Sequence, residues 1–152
     1  MVNNGIPLWF RCFPGKKDPK AFELSLIKEG ILYVHNLFKN KNCNLIFLAD
    51  RWFNFCPILD FIDSLGDTYC IRTKSNIFID ISECNYFKKV TYISDISPQH
   101  TKSTYFDSVY ITKNKYHTKL AVSKSNGHEE PLFVLTNGNT RDAIKHYGFR
   151  FR

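Results

Sequence analysis

The sequence contains few of the features that mark secreted, membrane-spanning or metal-binding proteins. Its five cysteines stand singly in apolar surroundings, without the close-paired spacing of zinc or redox sites. Its five histidines lack metal-binding helical spacing. No signal-like segment opens the chain, and no uninterrupted apolar run is long enough to span a bilayer. We therefore expect buried free thiols, no membrane partner and a reducing, cytoplasmic setting.

Acidic residues are also scarce relative to basic ones. Fourteen Asp and Glu face twenty-one Lys and Arg, which gives a net charge of +7. Such an excess favours polyanionic partners such as DNA, although a charge that merely keeps the protein soluble is the alternative interpretation. With 152 residues, 43% of them hydrophobic, the chain has the size of one domain with a sizeable core.

The first half of the chain alternates strand and helix signals. The predicted order is strand, helix, strand, helix, strand, over residues 6–13, 18–40, 44–50, 56–65 and 68–74. The run 44–50 is continuously apolar, which is typical of a strand buried on both faces. Gly66 is expected to end the second helix. This order predicts an α/β sheet with parallel neighbours.

The second half has a different character. Short β-like segments follow one another without a convincing helix, at 77–81, 90–93, 104–112, 116–122 and 131–136. After this β-rich block, Thr140 is the expected N-cap of a last helix that carries Tyr147 and Arg150. These segments predict a β-rich block inserted into, or appended to, the α/β part, and we expect this block to project away from the sheet.

Both ends of the sequence suggest a piece of a longer protein. Asn4-Gly5 is a strong hairpin signal, yet only the strand after it is present. The last residues, HYGFRFR, alternate aromatic and basic side chains without a signal that ends a helix. We therefore expect that the chain was cut at both ends.

Three segments carry a resemblance to a known family: LADRWF around Asp50, YCIRTKSN at 69–76, and LTNGNTRDAIKHYGFR, which ends at Arg150. The sequence resembles the catalytic region of bacterial insertion-sequence transposases of the DDE type. The resemblance implies an α/β, RNase H-like mixed sheet with flanking helices, interrupted by a β-rich insertion and incomplete at both ends. It divides the chain into a partial catalytic core (1–75), the insertion (76–136) and the start of the C-terminal catalytic-core helix (137–152).

The resemblance also implies a function and a site. In this family, carboxylates that bind Mg²⁺ support DNA cleavage and strand transfer, and Asp50 corresponds to the second aspartate, as both catalytic and metal-binding residue. The other two carboxylates have no counterpart in the sequence, so we expect the chain to be inactive alone. The implied partner is the DNA of the transposon ends, the implied location is the bacterial cytoplasm, and a homodimer is an option for the full-length protein.

The chemistry fits these assignments, with a plain alternative for each. Two Mg²⁺ ions about 4 Å apart activate the attacking oxygen and stabilise the leaving one, and they need oxygen ligands. Tyr147 and Arg150, one helical turn apart, suit a DNA phosphate, and so does Arg72. Alternatively, Asp50 caps the adjoining helix or pairs with Arg51, Tyr147 and Arg150 only pack, and Arg72 meets a carboxylate.

Other charged residues are weaker candidates. None of the remaining acids is placed to replace the missing pair, namely Asp60, Asp63, Asp95, Asp107, Glu129 and Glu130. Four lysines of the β-rich block either touch DNA or keep an exposed hairpin soluble, namely Lys113, Lys115, Lys119 and Lys124. A non-catalytic basic DNA-binding module or a decayed transposase remnant is therefore the second hypothesis.

Overall fold

The computed structural model describes residues 20–81, 91–92, 103–111, 116–124 and 130–151. The expected strand at 6–13 and the start of the first expected helix lie outside these residues, as do Asp95, Glu129, Lys113 and Lys115. The described elements form a mixed α/β fold.

The first described half contains helices and strands expected from the sequence and, in addition, one 3-10 turn that was not expected. They are α1 (Lys20–Phe38), β1 (Ile46–Ala49), a 3-10 turn (Arg51–Phe53), α2 (Cys56–Ser64) and β2 (Thr68–Arg72). Helix α2 has a proline in its first turn, and its apolar spacing buries Ile58, Leu59 and Ile62. Gly66 follows with a φ of 76°, a conformation that favours glycine and ends the helix.

The second half is rich in strands, as expected. It contains β3 (Phe78–Ile81), β4 (Thr91–Tyr92), β5 (Ser103–Ile111), β6 (Tyr116–Ser123), β7 (Leu132–Thr136), α3 (Thr140–Gly148) and a 3-10 turn (Phe149–Phe151). The N-cap of α3 is Asn139, one residue before the expected Thr140, because the Asn139 side chain accepts a 2.9 Å hydrogen bond from the backbone N–H of Arg141. The hydroxyl of Thr140 instead donates to Asp107 on β5, at 2.8 Å.

The described strands form one seven-stranded sheet in the order β1-β2-β7-β6-β5-β3-β4. Strands β1 and β2 are parallel, as expected, and every other neighbouring pair is antiparallel. The β-rich block was expected to project away from the sheet. Its described strands instead continue the sheet, because β7 pairs with the edge of β2 that β1 leaves open.

Helices cover both faces of the sheet. Along β2, Tyr69 and Ile71 pack with α1 and α2, whereas Cys70 between them packs with α3. Successive side chains of a strand point to opposite faces, so this alternation places the helices in two layers around the sheet. Each fully buried aliphatic side chain of these layers contributes about 1.5–3 kcal/mol through removal of apolar surface from water.

Strand β1 is less buried than its continuous apolar sequence predicted. Its residues are half-buried, and Ile46 is 36% exposed. The reason is its position, since among the described strands β1 pairs only with β2. Among the described strands, β2, β6 and β7 have consecutive residues buried on both faces.

The turn between β7 and α3 fixes the helix to the sheet. The Asn137 side chain accepts from the backbone N–H of Tyr69 at 3.0 Å and donates to Asp63 at 2.8 Å and to the carbonyl of Asp67 at 2.9 Å. At Gly138, an added Cβ would lie 2.9 Å from the methyl carbon of Thr68. Close approach of the turn to β2 therefore requires glycine there. None of the helices in the described part of the chain is long and apolar enough to cross a membrane.

Candidate nucleic-acid interface at the end of β1

The parallel pair β1-β2 brings two of the predicted site residues to one edge of the sheet. Ala49 and Ile71 are partners in the register, and the next residues are Asp50 and Arg72. Carboxyl ends of parallel strands meet at the same edge, where open α/β sheets place their ligands. The structure therefore brings Asp50 and Arg72 to the same edge.

Asp50 is held by contacts to both of its carboxylate oxygens. Its Oδ1 accepts a 2.7 Å hydrogen bond from the backbone N–H of Arg51, so Asp50 caps the Arg51–Phe53 turn. Its Oδ2 lies 3.4 Å from Nη1 of Arg150. The pKa of Asp50 is lowered, mainly by the backbone hydrogen bond from Arg51 and further by the charges of Arg150 and Arg72, against a smaller opposing effect of burial. Asp50 thus has the capping role that was the alternative to a catalytic one.

Arg150 connects Asp50 with Tyr147. Its Nη1 donates a 3.0 Å hydrogen bond to the Tyr147 hydroxyl, and its guanidinium carbon lies 5.9 Å from the centre of the Tyr147 ring. The pKa of Arg150 is raised: partial burial opposes the rise, but the hydrogen bond to Tyr147 and the charge of Asp50 outweigh it. The Arg150 side chain is 36% exposed, so a ligand can reach it from solvent.

Tyr147 itself is completely buried. Its ring packs between α3 and the sheet with four small or apolar residues, namely Cys70, Ala121, Val134 and Ala143. The helical spacing predicted that Tyr147 and Arg150 meet, and the structure brings them together. Burial favours an indirect role for the Tyr147 hydroxyl, in which it orients Arg150.

Arg72 is half-buried at the end of β2. None of the ion pairs between described residues involves it, so the alternative that it pairs with a carboxylate finds no partner in this part of the chain. Its charge acts on Asp50, whose pKa it helps to lower. Arg72 therefore adds positive charge to the same edge as Arg150.

The described residues do not by themselves fit the pair of Mg²⁺ ions that the family resemblance implies. Among them, no group of three or more His, Cys, Asp or Glu side chains is placed to hold a metal ion. Asp50 is the predicted metal ligand at this edge, and a hydrogen bond and an ion pair already engage its oxygens. A two-metal centre needs several carboxylate oxygens, so this donor set is insufficient.

Asp50 and Arg150 also line a cleft of about 460 Å³ between α1, β1 and α2. Its other walls are mostly apolar, with Ile31 from α1, Phe47 from β1 and Ile58 from α2. The two charged side chains thus lie beside a largely apolar surface.

Three of the weaker candidates have structural partners among the described residues. Asp63 and Asp107 accept hydrogen bonds from Asn137 and Thr140, and the Lys119 ammonium donates to the carbonyl of Gly138 at 3.1 Å. Asp60 is exposed on α2, and Lys124 is half-buried after β6. Within the described residues, these contacts explain Asp63, Asp107 and Lys119 without a functional role.

The structure contains a second hollow, of about 280 Å³, that was not predicted from the sequence. Its lining includes Arg51, Arg72, Lys74 and Glu130. The signal was present in the sequence, because a basic residue is the second residue after each of the two neighbouring parallel strands, namely Arg51 after β1 and Lys74 after β2. Residues that follow parallel neighbours meet at one edge, so Arg51 could have been grouped with Arg72 and Lys74.

Comparison with protein-family models finds no match, and neither does comparison with curated proteins.

Proposed function

We propose that the chain is a segment of a DDE-type DNA transposase and that it binds the backbone of transposon-end DNA at the edge formed by Asp50, Arg72 and Arg150. In this proposal it acts in the bacterial cytoplasm, and the wider RNase H-like assignment of the fold belongs to the same proposal. The observation that carries it is the convergence of Asp50 and Arg150. These two predicted site residues lie in distant parts of the sequence, yet Oδ2 of Asp50 lies 3.4 Å from Nη1 of Arg150.

The electrostatics support a phosphate partner. The chain carries a net charge of +7, and Arg72 and Arg150 both bring positive charge to the edge where Asp50 lies. A guanidinium that is oriented by a buried hydroxyl loses less freedom when it binds a phosphate, and its planar fork matches phosphate oxygens. In the proposal Arg150 contacts a phosphate, Tyr147 orients Arg150, and Arg72 adds a second cation.

The salt dependence of duplex binding tests this proposal. We expect weak, sequence-tolerant binding that falls steeply with salt, because each neutralised phosphate releases counterions. Replacement Arg150→Ala should reduce the slope of log affinity against log salt by about one unit. Arg141→Ala is the matched control, since it removes the same charge from the exposed first turn of the same helix. Equal slopes for the Arg150→Ala variant and the unmodified chain would contradict a phosphate contact by Arg150.

The proposal assigns DNA binding, and not cleavage, to this chain alone. One carboxylate cannot hold two metal ions, so purified protein should not nick supercoiled plasmid when Mg²⁺ is added. The measurement is gel separation of nicked and supercoiled plasmid over a range of Mg²⁺ concentrations. Mg²⁺-dependent nicking that disappears in the Asp50→Ala variant would show that the described donors suffice.

A second candidate function is that of a non-catalytic, basic DNA-binding module. The observation that favours it is the engagement of both Asp50 oxygens by Arg51 and Arg150. Mn²⁺, a paramagnetic substitute for Mg²⁺, separates the two candidates. Selective broadening of the Asp50 amide resonance in the DNA complex favours the transposase segment, whereas unchanged Asp50 resonances favour the plain binding module.

A further inference from the structure

Trp52 is the most exposed large hydrophobic side chain that the structure describes, with 76% of its surface accessible. A single exposed aromatic residue is ordinary by itself, and it becomes informative only through its surroundings. Trp52 lies in the 3-10 turn directly after Asp50, beside the edge where the positive charges meet. Its exposure therefore falls next to the candidate interface.

The turn that carries Trp52 is firmly held. At its start, Asp50 caps the backbone N–H of Arg51, and the backbone N–H of Phe53 donates to the carbonyl of Asp50 at 2.9 Å. At its end, the Asn54 side chain donates to the hydroxyl of Thr73, which directly follows β2. The backbone N–H of Thr73 in turn donates to the carbonyl oxygen of Phe133 at 2.9 Å, and this hydrogen bond joins the residue after β2 to β7. The exposed ring thus stands on a support fixed at both ends, so little freedom is lost when a ligand binds it.

One cation lies near this ring, and the same cation lines the 280 Å³ hollow together with two others. The Lys74 ammonium lies 6.0 Å from the centre of the Trp52 ring, within the range of a cation–π contact. Lys74 also lines the 280 Å³ hollow together with Arg51, Arg72 and the polar residues Thr73, Ser75 and Asn76. Glu130 is the acidic member of this lining, so three cations face one carboxylate. The hollow therefore suits a small anion with several oxygens, and Lys74 links it to the aromatic ring.

We propose that this surface binds one unpaired nucleotide of a DNA strand, with a phosphate in the hollow of Arg51, Arg72 and Lys74 and the base stacked on Trp52. The inference builds on the proposed function, since it specifies which part of the DNA partner reaches this side of Asp50. Charge complementarity selects the phosphate, and the flat exposed ring selects the base. Proteins that bind single strands combine the same two elements, a basic groove and aromatic stacking platforms.

Stacking on Trp52 requires a base that has left the duplex stack. Within a duplex, each base face is covered by its neighbours in the stack, so a protein ring reaches that face only after the base has left the stack. Phosphates, in contrast, are accessible in duplex and single strand alike. The inference therefore predicts that Trp52 distinguishes the two forms of DNA and that the cations do not.

Binding of a short labelled poly-dT strand and of a duplex of equal length tests this inference by fluorescence anisotropy. Replacement Trp52→Ala should weaken single-strand binding by roughly tenfold, because the stacked base is lost, and should leave duplex binding nearly unchanged. Trp52→Phe, which keeps an aromatic face, should retain most of the single-strand affinity. Tyr33→Ala is the matched control, since Tyr33 is a 49% exposed aromatic residue on α1. An equal loss for both DNA forms, or no loss for either, would overturn the stacking contact.

The phosphate contact has its own test. Lys74→Ala should lower the salt slope by about one unit for both DNA forms, because a counterion is no longer released at this position. Lys28→Ala is the control, as Lys28 also lies over an aromatic ring, that of Phe61, at 5.1 Å on another part of the surface. Unchanged slopes in the Lys74→Ala variant would place the phosphate elsewhere.

Tryptophan fluorescence provides a direct readout that leaves Trp52 itself unchanged. The sequence has two tryptophans, so a Trp9→Phe variant leaves Trp52 as its only indole. Poly-dT should quench this emission, whereas inorganic phosphate and duplex DNA should not, because only an unpaired base covers the ring. If duplex binding depends on Arg150 but poly-dT does not quench the Trp52 emission, the stacking inference is refuted and the proposed function is not. If the unmodified chain binds neither duplex nor single-stranded DNA, the proposed function is refuted as well.

Discussion

The role of the Tyr147 hydroxyl can be separated from that of its ring by one substitution. Tyr147 is fully buried, and its hydroxyl accepts a 3.0 Å hydrogen bond from Arg150. Tyr147→Phe keeps the packed ring and removes this acceptor alone. We expect little change in the fold and weaker duplex binding, because Arg150 loses the contact that orients it.

The magnitude follows from the exposure of Arg150. A hydrogen bond to a charged group contributes about 1.5–3 kcal/mol when it is well shielded, but water replaces part of it at a side chain that is 36% exposed. A loss of about 0.5–1 kcal/mol is therefore expected, which corresponds to a two- to fivefold weaker affinity for DNA.

A double-mutant cycle distinguishes orientation from direct contact. If Tyr147 acts through Arg150, Tyr147→Phe should change duplex affinity hardly at all in a chain that already carries Arg150→Ala. Titration of labelled duplex with the four proteins at one salt concentration gives the coupling. Additive losses would mean that the hydroxyl touches DNA itself or acts by another route, and the orienting role would be refuted.

Three further predictions concern stability. In urea unfolding, Gly138→Ala should destabilise the fold by about 1–2 kcal/mol because the new methyl group crowds β2. Gly148→Ala is the control and should be neutral or slightly stabilising, because nothing lies within 4 Å of a Cβ added there. Equal effects of the two substitutions would contradict the close approach of Gly138 to β2. Asn137→Ala should cost about 1–3 kcal/mol by the same measurement, since it leaves a backbone donor and two acceptors of the described fold without this partner. Because the folded pKa of Asp50 is lowered, its contribution is complete above the unfolded value near 3.8 and is lost as the pH falls through the folded pKa. Asp50→Asn should therefore lower stability by under about 1 kcal/mol above pH 4, with the difference shrinking as the pH falls below 4, and a difference that does not change with pH would contradict this.

Local signals in the sequence predicted much of the fold. The apolar spacing and Pro57 located α2, Gly66 marked its end, and the parallel pairing of β1 and β2 followed from the order of strands and helices. These features depend on residues that are close in sequence. Periodicity and turn chemistry are therefore sufficient to predict them.

Pairing between distant strands could not be predicted in the same way. Nothing in the sequence of β7 indicates that it lies beside β2 and extends the sheet, because many β-like segments would fit that edge equally well. The burial of Tyr147 has the same origin, since only the sheet formed by β2, β7 and β6 gives α3 a surface to cover. The cap at Asn139 was missed by one residue because Asn and Thr both suit this position.

We expect the candidate interface to form late in folding, because it requires the pairing of β7 with β2. Asp50 lies on the local β1-α2-β2 unit, whereas Arg150 reaches it only after β7 has joined β2 and α3 has docked. Contacts between segments so far apart in sequence form slowly, because the intervening chain must first be ordered. A growing chain that ends before β7 would therefore present Asp50 without Arg150, and the ion pair between these two residues would form only in the finished sheet.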